Sequence, residues 1–297
     1  MLFFFHRNRS PKAPRPRNGE PVASPPVDDR IRSTTTPYFL PKDAQEDERL
    51  FLQHNALYAA LSNHYLAPIP PDIQNALDLG TGTGVWMRDM STLFPQTHFV
   101  GMDSTASSFR YPSTAHLTFL IGDLLKGLPF PDQQFDFVHQ RLLIAGIPTV
   151  NWPDVLREAV RVTRPGGWVE LLEVGTTVKN AGRETTRLLK WMAHLSKERG
   201  FDLSLASHLG DLLTQAGLQA VEVQHIPAPL GAWAGHVGIM LKTDVVRAFE
   251  AVKGVYCAQA QIWPEQFDAW VEKAGEEWEQ RHASYVFHIA YGKRVVP

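Results

Sequence analysis

Three glycines at alternate positions, Gly80, Gly82 and Gly84, follow a short apolar run that ends in Asp78 and Leu79. Glycines spaced this way let the chain turn tightly and bring bare backbone close to a bound group. Such a loop belongs at the carboxyl end of a strand in an open α/β sheet, with a helix starting just beyond it. It is not a nucleoside-triphosphate loop, because no Gly-Lys-Ser/Thr follows. Nor does it match the dinucleotide fingerprint, whose third glycine comes one residue later. The carboxylate of Asp78 would repel a pyrophosphate and suits a cationic ligand.

The surrounding pattern agrees with a sheet. From Ile73 onward, short apolar runs alternate with helical ones: "NALDLG", "THFVGMD", "LTFLIGD", "FDFVHQ" and "GWVELLEV" read as five strands. The helical stretch "WPDVLREAVRVT" stops at "RPGG". A sixth strand, "QAVEVQHI", follows the helical segments "RETTRLLKWMAHLSKERG" and "LSLASHLGDLLTQAGL". A long helical region from Trp233 to Glu279, interrupted at "IWPEQ", leads to a seventh strand, "SYVFHIAYGKR". Alternation of this kind predicts a doubly wound parallel sheet covered on both faces. The extra helices form a lid over one sheet edge. Acids at Asp43, Glu46, Asp47 and Glu48 predict an N-terminal cap helix over 43–66, ended by the prolines of "LAPIPPD".

With 297 residues, 44% of them apolar, the chain supports one large core. Residues 1–36 carry six prolines and no hydrophobic period, so they read as a disordered tail. The remaining domain, 37–297, divides into the cap helix, a cofactor-binding core over 73–175, and the lid with the C-terminal strands over 176–297. A net charge of −2 gives no global reason to expect nucleic acid or an anionic membrane. No apolar run is long enough to span a bilayer. One cysteine, Cys257, excludes an internal disulfide and suits a cytoplasmic location. It reads as a buried structural thiol.

The companions of the glycine loop fall at strand ends, where ligands of α/β sheets bind. Asp103 ends the second strand, and a carboxylate there accepts hydrogen bonds from both hydroxyls of a ribose. Gly122 and Asp123 end the third strand, where the edge of an adenine would lie. The motifs "ALDLGTGTG", "GMD", "IGDLL", "FDFVHQR" and "RPGGWVELLE" resemble those of class I S-adenosylmethionine-dependent methyltransferases. With "YFLPKDAQEDERLFLQH" ahead of them, they further resemble the LaeA-like methyltransferases of secondary metabolism. The resemblance implies a Rossmann-like, seven-stranded sheet whose last strand is antiparallel.

It also implies roles. Asp78, Gly80, Thr81, Gly82 and Gly84 would hold the methionine part of S-adenosyl-L-methionine, and Asp103 its ribose. Met102 or Ser104 would lie beside the adenine, Asp123 would accept from its amino group, and Leu124 would pack on the ring. Gln140 would line the space between sulfonium and substrate, and Gln53 with His54 would cover the cofactor. Asp136 and His139 read as structural, and Trp86 as packing beneath the first helix.

Methyl transfer from a sulfonium is an in-line displacement, so a base is needed only when the acceptor must lose a proton. Tyr58, His139, Arg141, Glu173 and His208 lie near the expected pocket; His54 and His236 are the candidate bases. No carboxylate pair compels a metal. The aromatic lid segments "PLGAWAGHVGIML" and "IWPEQFDAW" suggest an apolar pocket for a small molecule. Three functions stay open at this stage: methylation of a specialised metabolite, regulation by an S-adenosylmethionine-binding protein, and a non-methylating cyclisation. The oligomeric state is not legible.

Overall fold

The computed structural model describes residue 41, residues 43–105 and residues 109–295; the stretch read as a disordered tail lies outside the described residues. Seven strands form one sheet: β1 (Asn75–Leu79), β2 (His98–Asp103), β3 (Leu117–Ile121), β4 (Phe135–Arg141), β5 (Thr163–Lys179), β6 (Gln219–Pro229) and β7 (Ser284–Lys293). Their order is β3-β2-β1-β4-β5-β7-β6. The first five pair in parallel, and β7 runs antiparallel to both β5 and β6. The Rossmann-like doubly wound sheet with an antiparallel last strand is therefore present.

Strand alternation divides the core between two faces. Ala76, Phe99 and Phe137 pack with Trp86, Met87 and Met90 of α2 (Val85–Leu93). Leu77, Leu79 and Val138 face the other way, against Trp152, Val155 and Leu156 of α3 (Trp152–Val162) and Leu209 and Leu213 of α5 (Leu209–Gln215). Helices on both faces are what a parallel sheet requires, and they lift all the ligand-facing loops to one edge.

Two predicted boundaries move. The cap helix, α1 (Ala44–Leu61), starts as expected, with the Asp43 carboxylate accepting from Glu46 N at 2.9 Å. It ends at Leu61 rather than 66, because Ser62 turns left-handed (φ 57°) and donates its N–H to Tyr58 O. The prolines beyond are not what stops it. β5 begins four residues before "GWVELLEV", since Thr163 already pairs with Phe135; the "RPGG" segment is the irregularity between that pair and the next, Phe137 with Trp168.

The helical region read from the sequence as a lid contains α4 (Arg183–Glu198), α6 (Gly235–Ala260) and α7 (Pro264–Arg281). Leu188, Leu189, Phe249, Phe267 and Trp278 pack there with Leu57 of α1 and with Leu172, Phe287 and Ile289 of the sheet. The break between α6 and α7 falls at Gln261–Trp263, as the sequence indicates. No helix among the described residues is long and apolar enough to cross a membrane.

Cys257 is 2% exposed, and burial pushes its thiol up to about 11. The thiolate is the reactive form, so the native protein is expected to resist a disulfide-exchange thiol reagent at pH 8. One equivalent should react after unfolding in urea. Rapid modification of the native protein would contradict this burial.

Candidate cofactor site

The strand order reverses between β1 and β4, the position where open α/β sheets leave a crevice. A cavity of about 290 Å³ lies there. Its floor comes from successive strand ends: Asp78 and Gly80 to Thr83, then Asp103 and Ser104, then Gly122, Asp123 and Leu124. The segment from Arg141 to Ile147, after β4, forms one wall. Pro41, Glu46, Asp47, Arg49, Leu50 and Gln53, at and just before α1, supply a roof, and Ala248 of α6 closes the edge.

The glycine loop is held by its own neighbours. Gly80 N and Thr81 N both donate to Met102 O, at 2.8 and 3.1 Å. Gly82 N donates to Asp103 Oδ2 at 3.0 Å, and Thr81 Oγ1 donates to Asp78 Oδ2 at 2.7 Å. Gly80 and Gly84 sit at φ 67° and 78°, and a Cβ would come within 2.6 Å of Leu143 at Gly80 and 2.4 Å of Phe119 at Gly84. Only glycine satisfies both the turn and the packing.

Asp78 is also fixed from below. Its Oδ1 lies 2.8 Å from His139 Nδ1, and the His139 ring stacks on Trp86 at 3.8 Å, nearly parallel. Burial pulls the imidazole pKa down, so the neutral ring donates Nδ1–H to the carboxylate. Both residues orient Asp78.

The roof is tied down by polar contacts. Arg49 pairs with Glu46 and, at 2.7 Å, with Asp244 of α6, whose other oxygen accepts from Gln53 Nε2 at 3.2 Å. Asp47 pairs with Arg110 of the β2–β3 connection. His54 Nε2 meets Asp89 of α2 at 2.9 Å, while its Nδ1 faces Arg141 Nη2 at 3.0 Å.

A family model described as a methyltransferase domain matches residues 76–167. Methyltransferase str3 of Strobilurus tenacellus is 30% identical over 207 residues, which cover 66% of this chain and 71% of that protein. This chain belongs to the class I S-adenosylmethionine-dependent methyltransferases. The N-methyltransferase gliN of Aspergillus fumigatus is 27% identical over 281 residues, 86% of this chain and 96% of that protein. The secondary metabolism regulator laeA of Aspergillus flavus is 25% identical over 205 residues, 66% and 54% of the two chains. Among solved structures, phosphoethanolamine N-methyltransferase 2 of Haemonchus contortus, in complex with S-adenosylhomocysteine, aligns with a TM-score of 0.51 at 15% identity. That alignment covers 84% of this chain, which spans about half, 53%, of the nematode protein. It is a likeness of fold.

The methyltransferase brings most of the sequence-predicted residues to the cavity, but not all. Gln53, Asp78, Gly80, Thr81, Gly82, Asp103, Ser104, Gly122, Asp123 and Leu124 line it. Gly84 does not; it is the left-handed residue that starts α2. Gln140 is fully buried, its amide turned to Glu173 at 3.4 Å, because alternation along β4 aims it away from the face that carries His139 and Arg141. Met102 offers its backbone oxygen to the loop and buries its side chain in the opposite core.

Neither candidate base faces the cavity. Both nitrogens of the buried His54 are engaged, and His236 is exposed at the start of α6. Tyr58 and His208 are also exposed, Tyr58 stacked on His64. The lid aromatics do not line the cavity either: Phe267 and Trp270 pack against Trp191, and Trp233 and Trp263 are exposed. Sequence reasoning missed the wall at 142–147; it placed Glu173 near the pocket but not as the brace of that wall, where it accepts from Leu143 N and Ile144 N. The signal was slight, a glutamate inside an apolar strand.

Proposed function

We propose that this methyltransferase transfers the methyl group of S-adenosyl-L-methionine to a small, apolar acceptor of specialised metabolism. The observation that carries the reading is the row of carboxylates Asp78, Asp103 and Asp123 at the ends of, or just beyond, three neighbouring strands, around one crevice. In this reading Asp78 and the backbone of Gly80, Thr81 and Gly82 receive the methionine part. Asp103 receives the ribose hydroxyls, Asp123 the adenine amino group, with Ser104 and Leu124 along the ring. Gln53 acts as a roof residue, and Gly84 shapes the loop without touching the ligand.

The residues present fit such a group. The lining is acidic, which suits a sulfonium, and the bare backbone at Gly80 leaves no side chain in the way. When bound, the group supplies a methyl carbon already activated for displacement. The chain's part is to hold donor and acceptor in line and to exclude water under α1; such alignment is worth ~7–11 kcal/mol of barrier. The domain reading is a single unit over 37–297, with α1 as cap and α4, α6 and α7 as lid. A small-molecule partner rather than nucleic acid, and a cytoplasmic location, accord with the net charge of −2 and the single cysteine.

A second reading, a regulatory protein, draws on the similarity to the laeA regulator. The two separate in one experiment. The purified protein is titrated calorimetrically with S-adenosylhomocysteine, then incubated with methyl-labelled S-adenosylmethionine and a panel of small apolar amines and hydroxyls. Micromolar binding with label in an acceptor supports the enzyme. Binding with no acceptor in any panel favours the regulator, and no binding by folded protein ends both readings.

A further inference from the structure

Two guanidinium groups line the cavity among the described residues, and they differ in kind. Arg49 is paired with Glu46 and Asp244. Among the described residues Arg141 has no carboxylate within ion-pairing distance, and its one hydrogen bond there is from Nη2 to His54 Nδ1 at 3.0 Å. Asp78 and Asp89 act on it only through space, and a buried cation with no directly bonded anion is costly unless a ligand completes it.

Arg141 is also held in place. A guanidinium only donates, so His54 Nδ1 is the acceptor and its proton sits on Nε2, which donates to Asp89 Oδ2 at 2.9 Å. Burial keeps the His54 imidazole neutral, with its pKa pulled down to about 4. Asp89 is itself fixed by Arg88 at 2.6 Å. The chain Arg88–Asp89–His54–Arg141 thus runs from α2 through α1 to the end of β4. It fixes one edge of the guanidinium and leaves Nε and Nη1 without a partner among the described residues.

Its position says what it is for. Asp78 is the last residue but one of β1 and Arg141 the last of its neighbour β4; the strands pair through Asp78 and His139, and Arg141 lies two residues further along the same face of β4. An anionic and a cationic side chain flank the glycine loop without pairing to each other, and both line the cavity. An α-amino acid carries the complementary pair of charges one carbon apart. We propose that Arg141, positioned by His54, binds the α-carboxylate of the cofactor's methionine part, with Asp78 serving the ammonium. The inference rests on the cofactor reading above and adds the residue that reads the amino-acid end. The same carboxylate chemistry would suit an acidic methyl acceptor, and the experiment separates the two sources.

The test is a binding cycle. Wild type, Arg141→Met and Arg141→Lys are each titrated calorimetrically with S-adenosylmethionine and with decarboxylated S-adenosylmethionine, which keeps the sulfonium and the ammonium. A charge-assisted hydrogen bond corresponds to roughly tenfold to a hundredfold in affinity. Wild type is therefore expected to prefer the carboxylated ligand at least tenfold. Arg141→Met should lose that preference while binding the decarboxylated ligand within about twofold of wild type, which also reports that it folds. Arg141→Lys, which keeps charge but not the fork, should retain part of the preference. His54→Phe, which leaves Arg141 in place but unsupported, should reduce affinity for the carboxylated ligand more than for the decarboxylated one, and so reduce the preference.

A preference undiminished in Arg141→Met overturns the proposal and turns Arg141 toward the acceptor. Equal losses for both ligands also overturn it, since they indicate a structural role. Should Arg141→Met not fold, an unchanged preference in Arg141→Lys and His54→Phe overturns it alone. Wild type that binds neither ligand defeats the cofactor reading itself, a result distinct from all of these.

Discussion

Asp103→Ala is expected to weaken binding of S-adenosylhomocysteine at least a hundredfold while the protein stays folded. The residue acts twice. Its carboxylate ends β2 at the cavity, and it already accepts from Gly82 N at 3.0 Å and Thr105 N at 3.2 Å. A carboxylate oxygen accepts more than one hydrogen bond, so ribose hydroxyls can share it with these amides. Losing two charge-assisted bonds costs ~3–6 kcal/mol, or two to four orders of magnitude in affinity. The alanine also releases Gly82, so the loop loses part of its preorganisation. Asp103→Asn keeps one acceptor oxygen and should fall between the two. Calorimetry of the three proteins, with thermal melts as control, is the measurement. Alanine binding within threefold of wild type would remove Asp103 from the site.

Asp103 was legible in the sequence because its signal is local. A strand, a terminal carboxylate and a glycine loop one strand away can be read in order along the chain, and the same holds for Asp78, Gly122 and Asp123. What failed were the side chains whose place depends on a face or on a distant partner. Gln140 was assigned by its nearness to the strand end, yet period-two alternation puts it on the face opposite His139 and Arg141, and Arg141 is the one of the three that lines the cavity. His54 lies in the expected helix, but its role is set by Asp89, 35 residues on, and Arg141, 87 residues on. Nothing near His236 marks it as exposed, and the lid aromatics satisfy an apolar pattern equally well as helix–helix core. Ser62 ended α1 before the prolines by turning left-handed at φ 57°; that conformation favours glycine or asparagine, so a serine there gave no signal in the sequence.

The second large effect is on stability and depends on pH. Glu173, fully buried in β5, braces the cavity wall: Oε1 accepts from Leu143 N at 2.8 Å and Oε2 from Ile144 N at 3.0 Å. Glu173→Ala strands both donors, at ~1–3 kcal/mol each. A destabilisation of about 2–5 kcal/mol is expected near pH 5, with weaker cofactor binding because the 142–147 wall loses its anchor. Burial pushes the wild-type carboxyl up to about 8. The folded state therefore keeps a proton that the unfolded chain releases near 4.5, and stability contributed by Glu173 falls as pH rises through that interval. Alanine has no such proton. The gap between wild type and variant should shrink by on the order of 3 kcal/mol between pH 5 and pH 8. Glu170, also pushed up by burial, to about 7, is present in both proteins and cancels in the difference. Urea denaturation of the pair at the two pH values measures it. A gap that does not change with pH would mean that Glu173 ionises in the fold as it does in water, with the Leu143 and Ile144 amides holding it as the carboxylate.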